Sequence, residues 1–259
     1  MTTDTISEQT TSEVSRAPPS WRTLLRTALV TPGLIHEAYT RFHQYSLHNQ
    51  LLAWSQCIER GINPGPLKTF AGWLSLGRHV RKGEKALILC TPRTKRKDDE
   101  DVIVGFNFRA GWFALSQTDG DEYDHIGTPD WHEGRALQEL GITLVPFEHL
   151  DGNAQGYALP GRRIAINPVA ALGHKTTFHE IAHVLLGHPD DDKTPRPIKE
   201  AMAEAVALLC IEALDLPGSE FARGYLQNWL RNDELTEDQS QQIIQTAQQI
   251  LAAGAQYID

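Results

Sequence analysis

Residues 178–186 read Phe178-His179-Glu180-Ile181-Ala182-His183-Val184-Leu185-Leu186. This stretch sets the expected fold around the residues that say most about function. Its apolar residues occupy most of the circumference of a helix, which predicts a helix buried in a core. Positions i and i+4 of a helix lie on one face, so His179 and His183 can bind one zinc ion together. Glu180 then lies where a catalytic base could act on a water molecule that zinc activates.

A second helical segment downstream offers the third ligand. Residues 199–210 are mostly apolar, yet they carry Glu200 and Glu204 four positions apart and therefore on one face. A proline-containing turn over 189–197 allows this segment to fold back on the first helix. Catalytic zinc takes two histidines and one glutamate, so we expect Glu200 to bind the metal. Glu204 would accept a hydrogen bond from the distal N–H of a ligating histidine. The reverse order of the two glutamates also fits the spacing.

Two further features surround the predicted metal site. Residues 156–168 hold a Pro-Gly turn between two short runs with strand character, and this pattern predicts a hairpin. An edge strand there could pair with an extended peptide substrate, and simple structural packing explains the pattern equally well. His174 and His188 flank the motif, and we interpret them as neighbours of the site or surface groups rather than metal ligands.

Charge divides the chain near residue 118. Residues 21–118 hold 14 Lys and Arg against 7 Asp and Glu, whereas residues 119–259 hold 9 against 23, within a net charge of −9. Such an asymmetry indicates two domains with different partners. The expected organisation is a disordered Thr/Ser/Glu-rich tail over 1–19, a first domain over 20–118, a linker over 119–130 and a second domain over 131–259.

The expected fold class is α+β, with helices first and a small antiparallel sheet after them in the N-terminal half. The C-terminal half is expected to be mainly helical with a short sheet. The apolar periodicity predicts helices over 21–28, 34–58 and 235–253, strands over 86–90, 102–108 and 111–118, and a loop over 93–101.

The composition also indicates a compartment. Three scattered cysteines, Cys57, Cys90 and Cys210, are typical of reduced thiols in a cytoplasmic protein. No apolar run reaches the ~18 residues of a membrane helix, and the N-terminal residues lack a signal-peptide pattern. We therefore expect a cytoplasmic protein without a membrane partner.

Cations and aromatic rings interleave in the N-terminal half. Single-stranded nucleic acid binds where cations meet phosphates and exposed rings stack on bases. We predict phosphate contacts from the basic turn and base stacking by Trp73; core packing of the rings and solvation of the cations form the alternative. The basic turn consists of Arg78, Arg81, Lys82 and Lys85, and the further rings are Phe106, Phe108, Trp112 and Phe113.

Four blocks in this half resemble the single-stranded-DNA-binding domain of ArdC-type antirestriction proteins. They are YSLHNQLL (45–52), TFAGW (69–73), GRHVRKGEK (77–85) and FALSQT (113–118). The C-terminal half is similar to the zinc metallopeptidase domain that follows in that family and to ImmA/IrrE-type peptidases. The Glu-x-x-x-Glu pattern also resembles the E-x-x-x-D of gluzincins. The resemblance implies DNA protection, sequence-independent binding of single-stranded DNA and a zincin-like site with Glu200 as third ligand.

Two functional hypotheses follow. In the first, the protein binds single-stranded DNA and carries a zinc peptidase site that protects incoming DNA or acts on DNA-associated proteins. In the second, it is a non-proteolytic DNA-binding antirestriction protein whose zinc is structural. Both can hold together, because function resides in sites and each predicted domain carries one.

Overall fold

The computed structural model describes residues 19–97, 100–124, 127–148, 154–232 and 235–257. Over these residues the chain is a mixed α+β protein, as predicted. The predicted disordered tail lies outside the described residues except for Pro19.

The described part of the chain contains the following helices and strands. The α-helices are α1 (Trp21–Val30), α2 (Leu34–Phe42), α3 (Leu47–Arg60), α4 (Phe70–Leu74), α5 (Glu133–Glu139), α6 (Gly173–Leu185), α7 (Arg196–Ala213), α8 (Ser219–Asn232) and α9 (Glu237–Gly254). The strands are β1 (Leu67–Thr69), β2 (Arg78–Val80), β3 (Leu87–Lys97), β4 (Glu100–Ala114), β5 (Thr118–Gly120), β6 (Asp130–Trp131), β7 (Thr143–Leu144), β8 (Gly156–Leu159), β9 (Arg163–Ile166) and β10 (Ala255–Gln256). Short 3-10 helices span Leu115–Gln117 and His188–Asp190.

The strands form small sheets. In the N-terminal half β4 lies between β1 and β3, with both pairs antiparallel, and β2 pairs with β5. In the C-terminal half β9 lies between β7 and β8, and β6 pairs with β10. The predicted hairpin over 156–168 is confirmed, because β8 and β9 are antiparallel neighbours and β8 is an edge strand.

The ribbon of β3 and β4 differs from the sequence prediction. The predicted loop over 93–101 is wrong in its described part, because both strands continue through it. The described side chains at this end of the ribbon, at residues 92–96 of β3 and residues 102 and 104 of β4, are exposed. This end therefore lacks the apolar alternation that marks a half-buried strand. The two strands predicted over 102–108 and 111–118 are one strand, β4, followed by a 3-10 turn.

The helix predicted over 34–58 is divided into α2 and α3. Ser46 begins α3 as its N-cap, and its Oγ accepts a hydrogen bond from the Asn49 backbone N–H. Both helices bury their apolar faces in the same part of the molecule, so the apolar pattern continues across the break. Periodicity alone therefore could not locate the division.

Side chains of α3 complete the outer edge of β3. Asn49 exchanges hydrogen bonds of 2.8 and 2.9 Å with the backbone of Cys90, and Gln56 does the same with Ile88. An amide offers one acceptor and two donors, so it can satisfy a strand residue as a neighbouring strand would. The first part of the outer edge of β3, at Ile88 and Cys90, is thus protected from pairing with another chain.

The main core crosses the predicted domain boundary. Buried residues of α1, α2 and α3 form one hydrophobic cluster with buried residues of α6, α7 and α9. A smaller cluster lies between α3 and the β1-β4-β3 sheet. The boundary over 119–130 remains a prediction from charge, while the first three helices share the core of the C-terminal half.

A buried ion pair joins the same elements. Arg223 on α8 lies 2.6 Å from the carboxylate of Glu212 on α7, and both side chains are buried. Glu212 also accepts a hydrogen bond from the backbone N–H of Gly33, and Arg223 donates to the carbonyls of Ala28 and Leu29 at the end of α1. The pair therefore fixes the turn from α1 to α2 against the C-terminal helices.

The predicted C-terminal amphipathic helix is confirmed as α9. Thr236 and Gln239 form a capping box at its start. Its apolar face is buried on the main core. Among the described helices, none combines the length and apolar character needed to cross a membrane.

Candidate metal centre

Helix α6 positions several of its polar residues in the lining of a cavity of about 530 Å³. Phe178, Ile181 and Ala182 are buried in the main core and hold the helix there. His179 and His183 face the cavity together, because four residues make about one turn. The core contact and the polar face are thus two sides of the same helix.

Helix α7 packs against α6 and contributes Glu200 to the same point. Donor atoms of His179, His183 and Glu200 all lie within 4.8 Å of one another. The separations are 3.0 Å between the two Nε2 atoms, and 3.4 and 3.7 Å from these to Glu200 Oε2. Ligands at 2.0–2.1 Å in a tetrahedron lie about 3.4 Å apart. The three donors therefore suit a metal ion in type and in spacing.

The distal nitrogen of His179 meets Glu204, as the sequence predicts. Glu204 Oε2 lies 3.1 Å from His179 Nδ1. Lys175 Nζ lies 2.7 and 2.8 Å from the two Glu204 oxygens. Burial opposes the charge on His179, but hydrogen bonds with Glu200 and Glu204 outweigh it and raise its pKa to about 9. This position therefore favours positive charge.

Glu200 has the opposite shift. Hydrogen bonds with His179 and His183 lower the pKa of Glu200 well below its ordinary range. Arg196 lies 3.5 Å away but is largely exposed. Glu200 is therefore a carboxylate at neutral pH, which is the form that binds a metal.

The distal nitrogen of His183 meets another imidazole. His183 Nδ1 lies 2.8 Å from Nδ1 of His188, which is buried beside the end of α6. Burial lowers the pKa of His188 to about 4, with His183 and Lys199 acting in the same direction. His188 thus neighbours the site, whereas His174 is exposed and faces Glu133 at 3.8 Å.

Glu180 lies in the same cavity, between α6 and the edge strand β8. Burial raises its pKa, against the lowering influence of His179 and His183. Gly156 of β8 packs tightly on it: a Cβ there would lie 3.0 Å from Glu180 Cγ and 2.8 Å from Thr176 Cγ2. The absence of a side chain at Gly156 therefore allows β8 to approach the carboxylate.

The sequence interpretation missed two of these contacts. Lys175 lies four residues before His179, so helical spacing could have placed it on the same face. Nothing in the sequence around Gly156 indicates its contact with Glu180, because the two residues belong to separate elements.

The two arginines of the basic turn bond to neighbouring residues of the same chain. Arg78 donates to the hydroxyl and carbonyl of Thr118, and to the carbonyls of Gly120 and Asp121. Arg81 contacts Glu84 at 2.7 Å. These two guanidinium groups therefore hold β2 and β5 together and order the adjacent turn. The sequence predicts phosphate contacts for them and does not indicate these bonds within the fold. The ammonium-bearing residues of the turn, Lys82 and Lys85, are exposed.

Trp73 is placed in the core. Its side chain is 0% exposed and its Nε1 donates a 2.8 Å hydrogen bond to the carbonyl of Phe113. The structure therefore corrects the predicted stacking role, because a base cannot reach this ring without unfolding it. The apolar sequence around Trp73 fits a core residue equally well, so its position could not be decided from sequence.

Exposed rings lie instead on the ribbon. Phe106 and Phe108 on β4 are 51% and 46% exposed and alternate along one face of the strand. The ring of Phe108 lies 6.3 Å from that of His48, and His48 stacks on Trp21 at 3.7 Å. A row of rings thus runs from the core out along the ribbon.

Comparison with known proteins places this architecture. Residues 2–128 match the family described as the N-terminal domain of anti-restriction factor ArdC. The N-terminal half of the chain is an ArdC-type N-terminal domain. No curated protein sequence matches the chain.

The ArdC-type fold extends over both halves. The Mn(II)-bound crystal structure of the antirestriction ArdC protein from R388 plasmid has a TM-score of 0.55 at 19% identity, covering 92% of this chain and 99% of that one. The metal-free crystal structure of the same protein has a TM-score of 0.52 at 20% identity, covering 90% and 94%. At this identity the likeness shows the shared fold.

Proposed function

We propose that this ArdC-type protein acts in antirestriction as a single-stranded-DNA-binding, metal-dependent peptidase. The ArdC-type N-terminal domain and the likeness to R388 ArdC support the antirestriction role. The observation that carries the peptidase proposal is the convergence of His179, His183 and Glu200 in the lining of a cavity that Glu180 also lines.

The chain's own residues suit peptide hydrolysis. His179, His183 and Glu200 would hold a divalent ion, which supplies Lewis-acid activation of water and of the scissile carbonyl when bound. Glu180 would take a proton from the attacking water and pass it to the leaving amine. The open edge of β8 would orient an extended peptide beside these groups through backbone hydrogen bonds.

The number of donors favours catalysis over a structural metal. Structural zinc sites are closed by four protein ligands, whereas catalytic sites keep one position open. Among the described residues, the donor group contains three side chains, and Glu204 is directed to His179 Nδ1 instead. R388 ArdC was crystallised with Mn(II), and the spacing here suits more than one divalent ion, so the test uses Mn(II) and Zn(II) in parallel.

The test compares Glu180→Gln with the wild-type protein in cleavage of casein after loading with either metal. Loss of the general base should reduce the rate by about 10²–10⁴-fold while metal binding persists. His174→Gln is the matched control, because it changes an exposed histidine on the same helix. Equal cleavage by Glu180→Gln and wild type would remove the proposed base.

The alternative of a structural metal has a different signature. Wild-type protein that binds metal, gains thermal stability from it and cleaves no casein would favour the non-proteolytic hypothesis. In that case Glu180→Gln should leave DNA protection unchanged.

The ribbon supports the DNA-binding part of the proposal. Phe106 and Phe108 offer exposed faces to bases, and Arg93 and Lys95 belong to the paired strand. Stacking contributes about 1–3 kcal/mol per base. Replacing both phenylalanines by Ala should weaken binding of a labelled single-stranded oligonucleotide by at least tenfold. Val104→Ala is the control, because Val104 is an exposed aliphatic residue of the same strand; equal losses in both variants would contradict stacking.

A further inference from the structure

We propose that His188 is a positioning residue of the metal centre, which fixes His183 with its Nε2 directed at the metal by accepting a hydrogen bond from His183 Nδ1. The inference rests on the proposed metal centre. It concerns a different contact from the predicted one between Glu204 and His179.

The tautomers follow from the geometry. His183 Nε2 lies 3.0 Å from His179 Nε2 and 3.7 Å from Glu200 Oε2, so this nitrogen faces the donor group. A nitrogen that binds metal carries no proton, and a neutral imidazole then carries its proton on the other nitrogen. His183 Nδ1 is therefore the donor in its 2.8 Å contact, and His188 Nδ1 is the acceptor.

The chain after α6 is shaped to bring His188 back to this point. Gly187 has a φ of 73°, in the left-handed region that a glycine adopts at the end of a helix. The following 3-10 turn begins with His188, so its ring returns over the last turn of α6 to reach a residue five positions earlier. A Cβ at position 187 would strain this return.

Helix α7 holds the returning turn in place. Lys199 Nζ donates to the carbonyl of His188 at 3.1 Å and to the carbonyl of Asp191. Lys199 lies one residue before Glu200, so the helix that supplies a ligand also anchors the turn that orients His183. The two metal-facing histidines are thus fixed by different chemistry: a carboxylate bound to Lys175 for His179, and an imidazole for His183.

Two substitutions separate the acceptor from the bulk of the ring. His188→Phe keeps a ring in the buried position and removes the acceptor. His188→Asn is smaller, but its Oδ1 can occupy the place of Nδ1 and accept the same hydrogen bond. Loss of a partner that orients a ligand costs about 10–100-fold in metal affinity. We expect that loss of Mn(II) affinity in His188→Phe, measured by competition with a chromophoric chelator, and a change of less than about threefold in His188→Asn.

A purely structural role predicts another pattern. Mn(II) affinity would then follow the thermal stability of the chelator-treated protein, and the smaller Asn would lose at least as much as Phe. Either that pattern or unchanged affinity in His188→Phe overturns the proposal. The variant His179→Ala tests the proposed metal centre separately from the role of His188. If it binds Mn(II) as tightly as wild type, the metal centre itself is wrong and the role of His188 fails with it.

A spectroscopic measurement on wild-type protein does not depend on any variant folding. In protein loaded with diamagnetic Zn(II), two-bond ¹H–¹⁵N correlation spectra report which nitrogen of each histidine carries the proton. His188 should carry its proton on Nε2 and leave Nδ1 unprotonated. A proton on His188 Nδ1 would overturn the proposal, because that nitrogen could not then accept from His183.

Discussion

In the C-terminal half, His179, His183 and Glu200 direct their polar atoms into one cavity, whereas in the N-terminal half Arg78 and Trp73 direct theirs to the backbone of neighbouring strands. Both groups are marked in the sequence by close spacing of functional residue types. The difference is that helical periodicity places His179 and His183 on one face of a single helix, whereas Trp73 and Arg78 lie on two short elements, α4 and β2, whose arrangement no local spacing fixes. A polar group on such an element can stabilise the fold as readily as it can bind a ligand.

Trp73→Ala gives the largest expected effect and tests whether the N-terminal polar residues are structural. Truncating a buried tryptophan costs about 3–5 kcal/mol, and here a backbone hydrogen bond is also lost. Urea unfolding should show this loss, while Phe106→Ala on the exposed ribbon should change stability by about 0.5 kcal/mol or less. A Trp73→Ala protein with unchanged stability and weaker DNA binding would restore the stacking role.

The pH dependence of stability tests the burial of His48 in the N-terminal half. Burial lowers the pKa of His48 to about 4, and its Nε2 has no hydrogen-bond partner among the described residues. The unfolded chain takes up this proton near pH 6.5, so stability should fall as pH decreases from about 6.5 to 4, by up to about 3 kcal/mol. The difference between wild type and His48→Phe isolates this contribution from the carboxylates. Parallel stability curves for the two proteins would show that His48 does not titrate this way.

Metal removal tests the proposed metal centre of the C-terminal half. An ion present at 100 times its dissociation constant stabilises the folded state by about 2.7 kcal/mol. In a chain of this length the corresponding rise in melting temperature is roughly 5–10 °C. Chelation should reverse the rise, His179→Ala should abolish it and Lys82→Met should retain it. The comparison breaks if His179→Ala keeps the full metal-dependent rise.

The smallest expected effects separate Arg78 from Lys82. Arg78→Met removes charged hydrogen bonds to the backbone around Thr118 and should cost about 1–3 kcal/mol. Lys82→Met should change stability by about 0.5 kcal/mol or less. If Lys82 contacts a phosphate, its loss should also reduce the slope of log K against log salt concentration for single-strand binding by ~0.7. Unfolding curves and salt titrations of both variants check the pair, and equal stability losses would remove the distinction.

The helical parts of the site were predictable because spacing along a helix is three-dimensional information. His179 and His183 follow from one periodic segment and a glutamate ligand from the second, although the spacing alone fits either Glu200 or Glu204. The strands over 93–97 and 100–101 were not predictable, because the exposed part of the ribbon shows no apolar alternation. Gly156 was missed as a partner of the site, and His188 was placed only among its neighbours or surface groups, since both contacts depend on how separate elements meet.

The shared core of α1, α2, α3, α7 and α9 has a consequence for how this protein can be inherited and engineered. A fragment cut at the charge boundary would leave apolar faces of α7 and α9 without their cover, and the α1–α2 turn without Glu212 and Arg223. Neither fragment would be a self-sufficient building block. Recombination between relatives should therefore exchange the ribbon of β3 and β4 alone or the whole chain, and the N-terminal helices should stay with the half that carries His179, His183 and Glu200.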